Sequence, residues 1–526
     1  MNQNKLKMMT TKNYKILKTL AVFIFMGCSV LSTQAQIYVD VAATTGANDG
    51  SSWSDAYTDL QPALDAAAEN AEIRVAAGTY YPTEIPDETP VDSNNKREKA
   101  FHFNKDLVLK GSYNPETDTQ DFTNRSILSG DIDDDDDVIT GSGSTLIIEK
   151  NTDNAYHVLI TADLTAAAQI EGFMITGGNA NGFGSISYIG KTFFKNSSGG
   201  MYNYSSSPSI VNMVFHGNAT TNNGGAMRNT TFSSPSIVNC VFSENATTNN
   251  GGGVYNNTSS SPNIVNTVFS GNLAQLGGGM YNNLSSPSIV NSTFSENSAP
   301  TGGGIRNSNS SAPTIYNSVF YGNGVDIENS ASSSTTGGNN FSENFTGTGF
   351  TALGAAPFLD SANPKGADGV WFTDDDGLQP SSASSPITDA GDATKLPSDT
   401  SDFDKDEDVT EAIPFDIIGH SRELNASVDA GAFEFDSNVV LSVKEIDSSS
   451  LDIYSSGYKT LVIHGVLDAK TTANVYSLQG KLVASKTFNK FSTSNSLDVS
   501  MLSTGIYIVK MYNANHQVQT KKLFIQ

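Results

Sequence analysis

The sequence predicts an all-β protein in which a right-handed parallel β-helix precedes a small C-terminal β-sandwich. Composition gives the first reason, because 46 of the 526 residues are glycine and only 16% are charged. A helical bundle or a Rossmann-type enzyme would need more Ala, Leu, Glu and Lys. The second reason is a tandem repeat of 25 to 27 residues across about 196–330. The third is a series of alternating apolar segments after residue 436.

The first 35 residues are predicted to be a signal peptide. Five lysines precede an apolar run at 20–31, and small residues at 32–35 complete a cleavage site. This run is too short to cross a bilayer, which takes about 20 residues. Cys28 follows a glycine, which leaves a lipoprotein as an alternative. Cleavage would change the net charge from −25 to −30 and leave Cys240 as the one cysteine, so we expect no intrachain disulfide.

The excess of acidic over basic residues excludes some classes of binding partner. The chain has 55 acidic and 30 basic residues. A phosphate backbone requires a basic protein face, so we expect no nucleic-acid partner. An acidic membrane surface is disfavoured for the same reason, and no transmembrane span is predicted in the mature chain.

The tandem units predict a coil of stacked parallel strands. Each carries Ser-Pro-Ser-Ile-Val-Asn-x-x-Phe, or a close variant, followed by a glycine-rich run that ends in asparagine. No unit has enough apolar residues to bury a core alone. Stacking each strand on its copy in the next coil, about 4.8 Å away, would bury a continuous core. The handedness rule for parallel crossovers favours a right-handed coil.

The repeat predicts which columns of equivalent residues point into the core and which form side-chain ladders. Three apolar columns are expected to point inward: Ile210, Ile237, Ile264, Ile289 and Ile315; Phe215, Phe242, Phe269, Phe294 and Phe320; and Met201, Met227, Val254, Met280 and Ile305. The asparagine columns, such as Asn218, Asn245, Asn272, Asn297 and Asn323, are expected to form side-chain amide ladders.

The predicted β-helix domain covers 36–436, with irregular coils before the repeats. Short apolar segments at 73–75, 101–103, 107–109, 127–128, 156–160 and 170–175 predict strands. Leu60, Leu64 and Ala67 lie at helical spacing and predict a helix within 58–70. Such a helix would cap the open end of the stack, where strand edges and core are otherwise exposed.

Several segments resemble a known group of proteins. AEIRVAAGTYYPT at 71–83, IEGFMITGGNANG at 170–182 and VDAGAFEF at 428–435, with the GGGMYN and SPSIVNxxF repeats, resemble secreted bacterial β-helix proteins of the choice-of-anchor Q group. The repeats are also similar to those of polymorphic outer-membrane proteins. The resemblance implies a pectate-lyase-like solenoid and no particular activity.

A separate module is predicted at 437–526. Its alternating strands fit a small antiparallel sandwich. VYSLQGKLV at 475–483 and LSTGIYIVK at 502–510 resemble the C-terminal sorting domain of the type IX secretion system. This resemblance implies that the secretion machinery is a partner and that the domain is removed on export. It also implies that the protein is extracellular, either released or attached to the outer-membrane surface.

One column of the repeat is a candidate binding site. It consists of Tyr202, Arg228, Tyr255, Tyr281 and Arg306, between the inward apolar column and an asparagine column. Alternation along a strand predicts that these side chains point outward. Tyrosine rings stack on sugars, and arginine pairs with carboxylate or sulfate, so we hypothesise that the column binds an anionic glycan. The alternative is an exposed ladder that only improves stacking.

No catalytic residue is predicted. The charged residues of 196–330 are Arg228, Arg306, Glu244, Glu296, Asp326 and Glu328, together with His216. No pair of aspartates repeats across neighbouring coils, as an inverting hydrolase on this fold would need. An active site outside the repeats, near Lys105, Lys110, Arg125 or His157, stays open. The alternative function is therefore a polysaccharide lyase or glycoside hydrolase acting on an acidic polysaccharide.

No cofactor is required, but acidic segments suggest calcium as an optional ligand. They lie at 130–137, 373–377 and 402–408, and none has EF-hand spacing. The candidate ligands are Asp374, Asp375, Asp376, Asp404, Asp406 and Asp408. The alternative is a set of solvated acidic loops. The function predicted overall is adhesion or glycan binding at the cell surface or outside the cell, with a polysaccharide or a host or neighbour-cell glycan as partner.

Overall fold

The computed structural model describes two compact units, which divide the chain at residues 435 and 436. In the first unit it describes 36–435 apart from 88–89, 91, 93, 135–137, 401, 404–405, 407 and 423–426. In the second it describes 452–456, 460–464, 470–477, 481–489, 494–502, 505–513 and 518–525. The predicted signal peptide lies outside these residues. None of the helices described has the length and apolar character needed to cross a membrane.

The first unit is a right-handed parallel β-helix, which confirms the predicted fold. Eight coils each contribute one strand to each of three parallel sheets, and the coils at the two ends contribute to fewer. Sheet A consists of Gln36–Val39, Glu72–Ala76, Val108–Asn114, Gln169–Glu171, Ser209–Val211, Ser236–Val238, Asn263–Val265, Ser288–Val290, Thr314–Tyr316 and Thr336–Gly338, with Thr119–Gln120 at its side. Sheet B consists of Gly78–Tyr80, Ser126–Ser129, Phe173–Thr176, Val214–His216, Val241–Ser243, Val268–Ser270, Thr293–Ser295, Val319–Tyr321, Asn340–Ser342 and Phe350–Ala352. Sheet C consists of Phe101–Phe103, Leu159–Ala162, Met201–Tyr204, Met227–Thr230, Val254–Asn257, Met280–Asn283, Ile305–Ser308 and Ile327–Asn329.

Shorter strands complete this unit. Asn179–Ala180, Ala219–Thr220 and Ala246–Thr247 pair in parallel between sheets B and C. Two antiparallel hairpins project from the coils, one formed by Val138–Thr140 and Ile147–Glu149 and the other by Ser185–Tyr188 and Lys191–Phe194. The second is called the 185–194 hairpin below.

The repeat sets the register, because equivalent residues of successive coils pair directly. Ile237 pairs with Ile210 and Ile264, one coil on either side. Inside the coil the phenylalanines from Phe215 to Phe320 are fully buried and stack face to face, with ring centroids 4.5–4.9 Å apart. The spacing matches the distance between neighbouring strands, so one residue type fills the same place in every coil.

Two asparagine ladders run through the interior. In the first, each side-chain amide from Asn218 to Asn297 donates to the carboxamide oxygen of the next coil, over 2.8–3.1 Å. In the second, the chain of amides from Asn203 to Asn329 is continuous, over 2.8–2.9 Å. These bonds satisfy polar groups that the coil removes from water.

Glycine is required where neighbouring coils approach most closely. A Cβ on Gly252 would lie 2.6 Å from the carbonyl oxygens of both Gly278 and Leu273. Any side chain there would push the coils apart, because real Cβ atoms do not approach backbone oxygens so closely.

The predicted cap is a short helix, α1 (Leu60–Ala66). Asp59 begins it by accepting a hydrogen bond from the backbone N–H of Gln61. Leu60 and Leu64 are buried in the same apolar core as the first coils. The helix is shorter than the predicted 58–70, because the chain turns back at Ala67 into the strand Glu72–Ala76.

Residues 353–435 cover the outer face of sheet B, which the repeat pattern did not predict. The outward side chains Val214, Val241, Val268 and Val319 pack against apolar residues of this segment, among them Trp371 and Phe433. The described residues of the covering segment form no regular strand, and its sequence has no repeat, so its packing left no periodic signal in the sequence.

The second unit contains two antiparallel sheets. One has three strands, Asp452–Ser456, Thr460–His464 and Ser494–Asp498. The other has four, Leu482–Phe488, Thr471–Ser477, Gly505–Asn513 and Val518–Ile525. Leu461 and Leu497 of the first sheet share an apolar cluster with Val475 and Val509 of the second. The unit is therefore the small sandwich that the sequence predicts.

Candidate functional site

The predicted tyrosine and arginine column lies on the outer face of sheet C. Its five members pair in register from Tyr202 to Arg306, and Glu328 continues the column one coil further. The neighbours on either side, such as Met227 and Asn229, point into the core. Strand alternation therefore places the column outside the coil, as the pattern predicted.

Tyr202 corrects the expectation that the whole column is exposed. Its side chain is 1% exposed, because the 185–194 hairpin folds over this end of sheet C. The ring of Phe193 contacts Tyr202 edge to face, with centroids 5.0 Å apart. Tyr202 is thus part of a small apolar cluster and offers no surface to a ligand.

Arg228 lies where the covering hairpin ends. Its guanidinium is near the rings of Tyr202 (5.1 Å), Tyr255 (5.6 Å) and Phe194 (6.0 Å). The residue is only 8% exposed, and its Nε has no hydrogen-bond partner. Among the residues that the structure describes, no carboxylate forms an ion pair with it. A cation held by aromatic rings without a counter-charge can accept an anion from outside.

Tyr255 and Tyr281 form a stacked pair below Arg228. Their ring centroids are 5.5 Å apart and their planes differ by 17°. Burial raises the pKa of the Tyr255 hydroxyl, so that this group stays protonated. One face of each ring is covered by the other tyrosine, and Arg228 lies over Tyr255. Tyr255 is therefore covered by Arg228 on one side and by Tyr281 on the other, and it does not offer a free ring face to a sugar.

Arg306 at the far end differs from Arg228, because it has a counter-charge. Its Nη1 is 3.0 Å from the Oε1 of Glu328, a carboxylate whose side chain is 45% exposed. The charge of Arg306 is thus already balanced within the protein. The two arginines of the column are chemically unequal, which the sequence did not reveal.

Three exposed apolar side chains, which the sequence did not reveal, lie in the 185–194 hairpin or in the turns that follow strands of sheet C. Phe194 is 48% exposed at the end of the 185–194 hairpin, and Phe232 is 68% exposed in the turn after the strand of Arg228. Leu284 is 56% exposed in the turn after the strand of Tyr281. Phe232 and Leu284 both have positive φ, where asparagine and glycine are common and large apolar residues are unusual. The signal in the sequence was a large apolar residue three positions before the repeat proline, where the other units have serine.

The predicted calcium ligands are not brought together. Asp375 accepts hydrogen bonds from the backbone N–H groups of Ala367 and Asp368, and Asp376 accepts one from Phe372. Asp374, Asp406 and Asp408 are the other described candidates, and Asp404 lies outside the described residues. In the described part of the chain no three acidic, histidine or cysteine side chains form a metal-binding group. Burial raises the pKa of Asp376 to about 8, which favours its protonated form over a charged ligand.

A second concave surface lies along the turns that follow the strands of sheet B, and we call it the turn groove. Its volume is about 760 Å³. The loop at 141–144 and the segment at 361–369 form its walls, and Glu244 and Glu296 lie on its floor. Lys365 and His216 both approach Oε2 of Glu244, each at 2.9 Å. The 361–369 wall is thereby attached to the coils through Glu244.

The ion pairs of Glu244 predict a loss of stability in acid. Burial opposes ionisation, but His216 and Lys365 outweigh it and lower the pKa of Glu244 from 4.5 to about 2. Because the folded-state pKa is depressed, this stabilisation is present above pH 4.5 and is lost as the pH falls through about 2. We expect Glu244→Gln to cost about 2 kcal/mol at pH 7, and the difference from wild type to shrink in acid. Urea unfolding of both proteins from pH 7 to pH 3 measures this, and a constant difference would contradict it.

Comparison with known proteins addresses the C-terminal unit. Residues 456–526 match the family described as secretion system C-terminal sorting domain. The chain is a secreted protein. It is exported by the type IX secretion system, with whose machinery it interacts, and it is extracellular or attached to the cell surface.

The searches of solved structures and of curated proteins do not indicate an activity for this chain. A crystal structure of pectate lyase Pel9A is similar at 13% sequence identity with a TM-score of 0.34, over 78% of this chain and 98% of that one. No curated protein matches the chain. The resemblance to the choice-of-anchor Q group stays a prediction.

Proposed function

We propose that this secreted β-helix is an adhesion protein that binds an anionic glycan on the outer face of sheet C. The observation that carries the proposal is Arg228, a nearly buried guanidinium without a counter-charge in the described part of the chain. A carboxylate or sulfate of a polysaccharide would supply that counter-charge at the exposed edge of the guanidinium. The glycan belongs to a host or neighbouring cell, since the protein acts outside its own cell.

The surroundings of Arg228 fit a sugar chain. The ring of Phe194, whose side chain is 48% exposed, lies 6.0 Å from the Arg228 guanidinium, and apolar faces of sugar rings pack on such rings. Tyr255 and Tyr281 hold the floor rigid through their mutual stacking. A preorganised floor reduces the entropy lost when a flexible chain binds.

Arg228→Gln is expected to weaken binding of a sulfated or uronic-acid polysaccharide by about tenfold to 100-fold. The reason is the loss of a charge-assisted hydrogen bond, which contributes about 1.5–3 kcal/mol. Affinity of the secreted protein for a sulfated polysaccharide, a polyuronate and a neutral glucan is measured by calorimetry at fixed salt concentration.

Arg306→Gln is the matched control. Because Glu328 already balances this arginine, the variant is expected to bind within about threefold of wild type. Equal affinity of wild type and Arg228→Gln for the anionic polymers would contradict the proposal. So would equal affinity of the wild type for the neutral glucan.

A further inference from the structure

The tyrosine and arginine column of sheet C is closed at one end. Below Tyr202 its register continues through Ile160 and His102 in the two preceding coils. The 185–194 hairpin covers these positions. Ile160 and Tyr202 are buried beneath it, and the ring of Tyr188 lies edge to face on that of His102, with centroids 4.9 Å apart. The open part of the column therefore begins at Arg228.

Contacts with the coils hold the hairpin in this place. In addition to the aromatic contacts, Lys191 Nζ is 3.0 Å from Oδ1 of Asp163. At the end of the hairpin nearest the open column, the ring centroid of Phe194 lies 6.0 Å from the guanidinium carbon of Arg228. A ligand that reaches Arg228 thus meets a wall on the hairpin side.

The other end of the column is open. Beyond Arg228 it continues through Tyr255, Tyr281 and Arg306 to Glu328, with one residue in each coil. Successive coils are about 4.8 Å apart, so Glu328 lies about 19 Å from Arg228 along the column. Arg228 and Tyr255 are buried, whereas Tyr281, Arg306 and Glu328 are partly exposed. A chain bound at Arg228 can therefore follow the column in this direction, but not towards the hairpin.

The charges of the column also differ between its two ends. Within the described ranges Arg228 has no carboxylate partner, whereas Arg306 Nη1 is 3.0 Å from Oε1 of Glu328. A second acidic sugar placed over Arg306 would be repelled by the Glu328 carboxylate, which already pairs with that arginine. The column thus favours a ligand with one acidic group at the closed end and neutral sugars towards the open end.

We propose that the sheet C site recognises an acidic sugar at the end of a glycan chain, followed by neutral sugars. This inference rests on the function proposed above and specifies the class of glycan. A terminal sugar is linked to one neighbour and an internal sugar to two, and along the column the hairpin leaves room for one. Glycans on a cell surface are attached at one end, so the end that they present outward is free. This arrangement fits a glycan of a host or neighbouring cell.

The experiment compares the affinity of the secreted protein for glucotetraose and for tetrasaccharides with one acidic group, measured by calorimetry. The acidic group is a uronic acid or a sulfate ester, and each is placed on a terminal or on an internal sugar. In at least one of these two pairs we expect the terminal compound to bind about tenfold more tightly, or better, than its internal isomer. The pair that shows the difference identifies the anion as carboxylate or sulfate.

Two other results have separate meanings. If the terminal and internal isomers bind equally, and more tightly than glucotetraose, the inference is overturned while the proposed function stands. If no acidic compound binds more tightly than glucotetraose, the proposed function itself is contradicted.

Glu328→Gln tests why the sugars behind the acidic one are neutral. The probe is a tetrasaccharide with an acidic sugar at both ends, and its affinity is divided by that of the compound with one terminal acid. The variant removes the repelling carboxylate and frees Arg306, so we expect this ratio to rise about threefold or more over wild type. Glu116→Gln, which removes an exposed carboxylate outside sheet C, is expected to keep the wild-type ratio. Thermal unfolding shows that each variant is folded, and an unchanged ratio for Glu328→Gln would overturn the role assigned to this residue.

Discussion

Replacing Asn272 with alanine is expected to lower the free energy of unfolding by about 4 kcal/mol, although the side chain is small. The Asn272 carboxamide oxygen accepts bonds of 3.0 Å from both the backbone N–H and the side-chain amide of Asn245. Its own amide donates to the carbonyl of Phe242 and to Asn297, each at 2.8 Å. Truncation leaves these partners buried without bonds, and each such group costs about 1–3 kcal/mol.

Asn249→Ala is the matched control for this prediction. Asn249 also bonds to its equivalent one coil away, Asn222, at 3.0 Å, but it is only half-buried. Water replaces the lost bond there, so we expect a change below about 1 kcal/mol. Urea unfolding followed by circular dichroism compares the two variants. Similar losses in both would show that the interior ladder is not the source of stability.

Arg422→Met is expected to destabilise the first unit by about 3 kcal/mol at neutral pH. Arg422 is fully buried in the segment that covers sheet B, and it donates to Glu434 at 2.7 Å. It also donates to Asn266 of the coil and to the carbonyl of Ala432, each at 2.8 Å. One guanidinium thus joins the covering segment to the β-helix, and its loss leaves three buried hydrogen-bond acceptors without their donor.

The effect of Arg422→Met should depend on pH. Burial raises the pKa of Glu434 to about 8, even against the opposing effect of Arg422. Without the arginine this pKa rises further, so Glu434 is neutral at pH 6 and charged only at higher pH. The loss of stability is therefore expected to be larger at pH 9 than at pH 6.

Unfolding at the two pH values and limited proteolysis within 353–435 measure this effect. Arg306→Met is the control, since its pair with Glu328 is half-exposed and contributes below about 1 kcal/mol. A loss that is equal for Arg422→Met and Arg306→Met would contradict the assigned role of Arg422.

The predictable part of this fold is the part that repeats. The phenylalanine stack, the asparagine ladders and the outward direction of Arg228 all follow from one rule, that equivalent residues of successive coils pair. Because the same motif occurs in successive units, the pairing register of the strands could be predicted without a structure. The helix α1 was predicted from its own local periodicity.

The rest depends on contacts between segments far apart in sequence. Lys365 and Glu244 form an ion pair although they are 121 residues apart in the sequence. Neither segment has a sequence pattern from which this contact could be predicted. The 185–194 hairpin buries Tyr202 through Phe193, which strand alternation cannot predict because it concerns one strand at a time. The inequality of Arg228 and Arg306 arises in the same way, since only Arg306 has a carboxylate one coil away.

We propose that Arg228 pairs with an anionic group of a glycan. A crystal structure of the secreted protein with a sulfated or uronic-acid oligosaccharide tests this most directly. We predict a carboxylate or sulfate oxygen about 2.7–2.9 Å from the Arg228 guanidinium, with sugar rings against Phe232 or Phe194. An oligosaccharide bound elsewhere, with the Arg228 guanidinium still unpaired, would contradict the account.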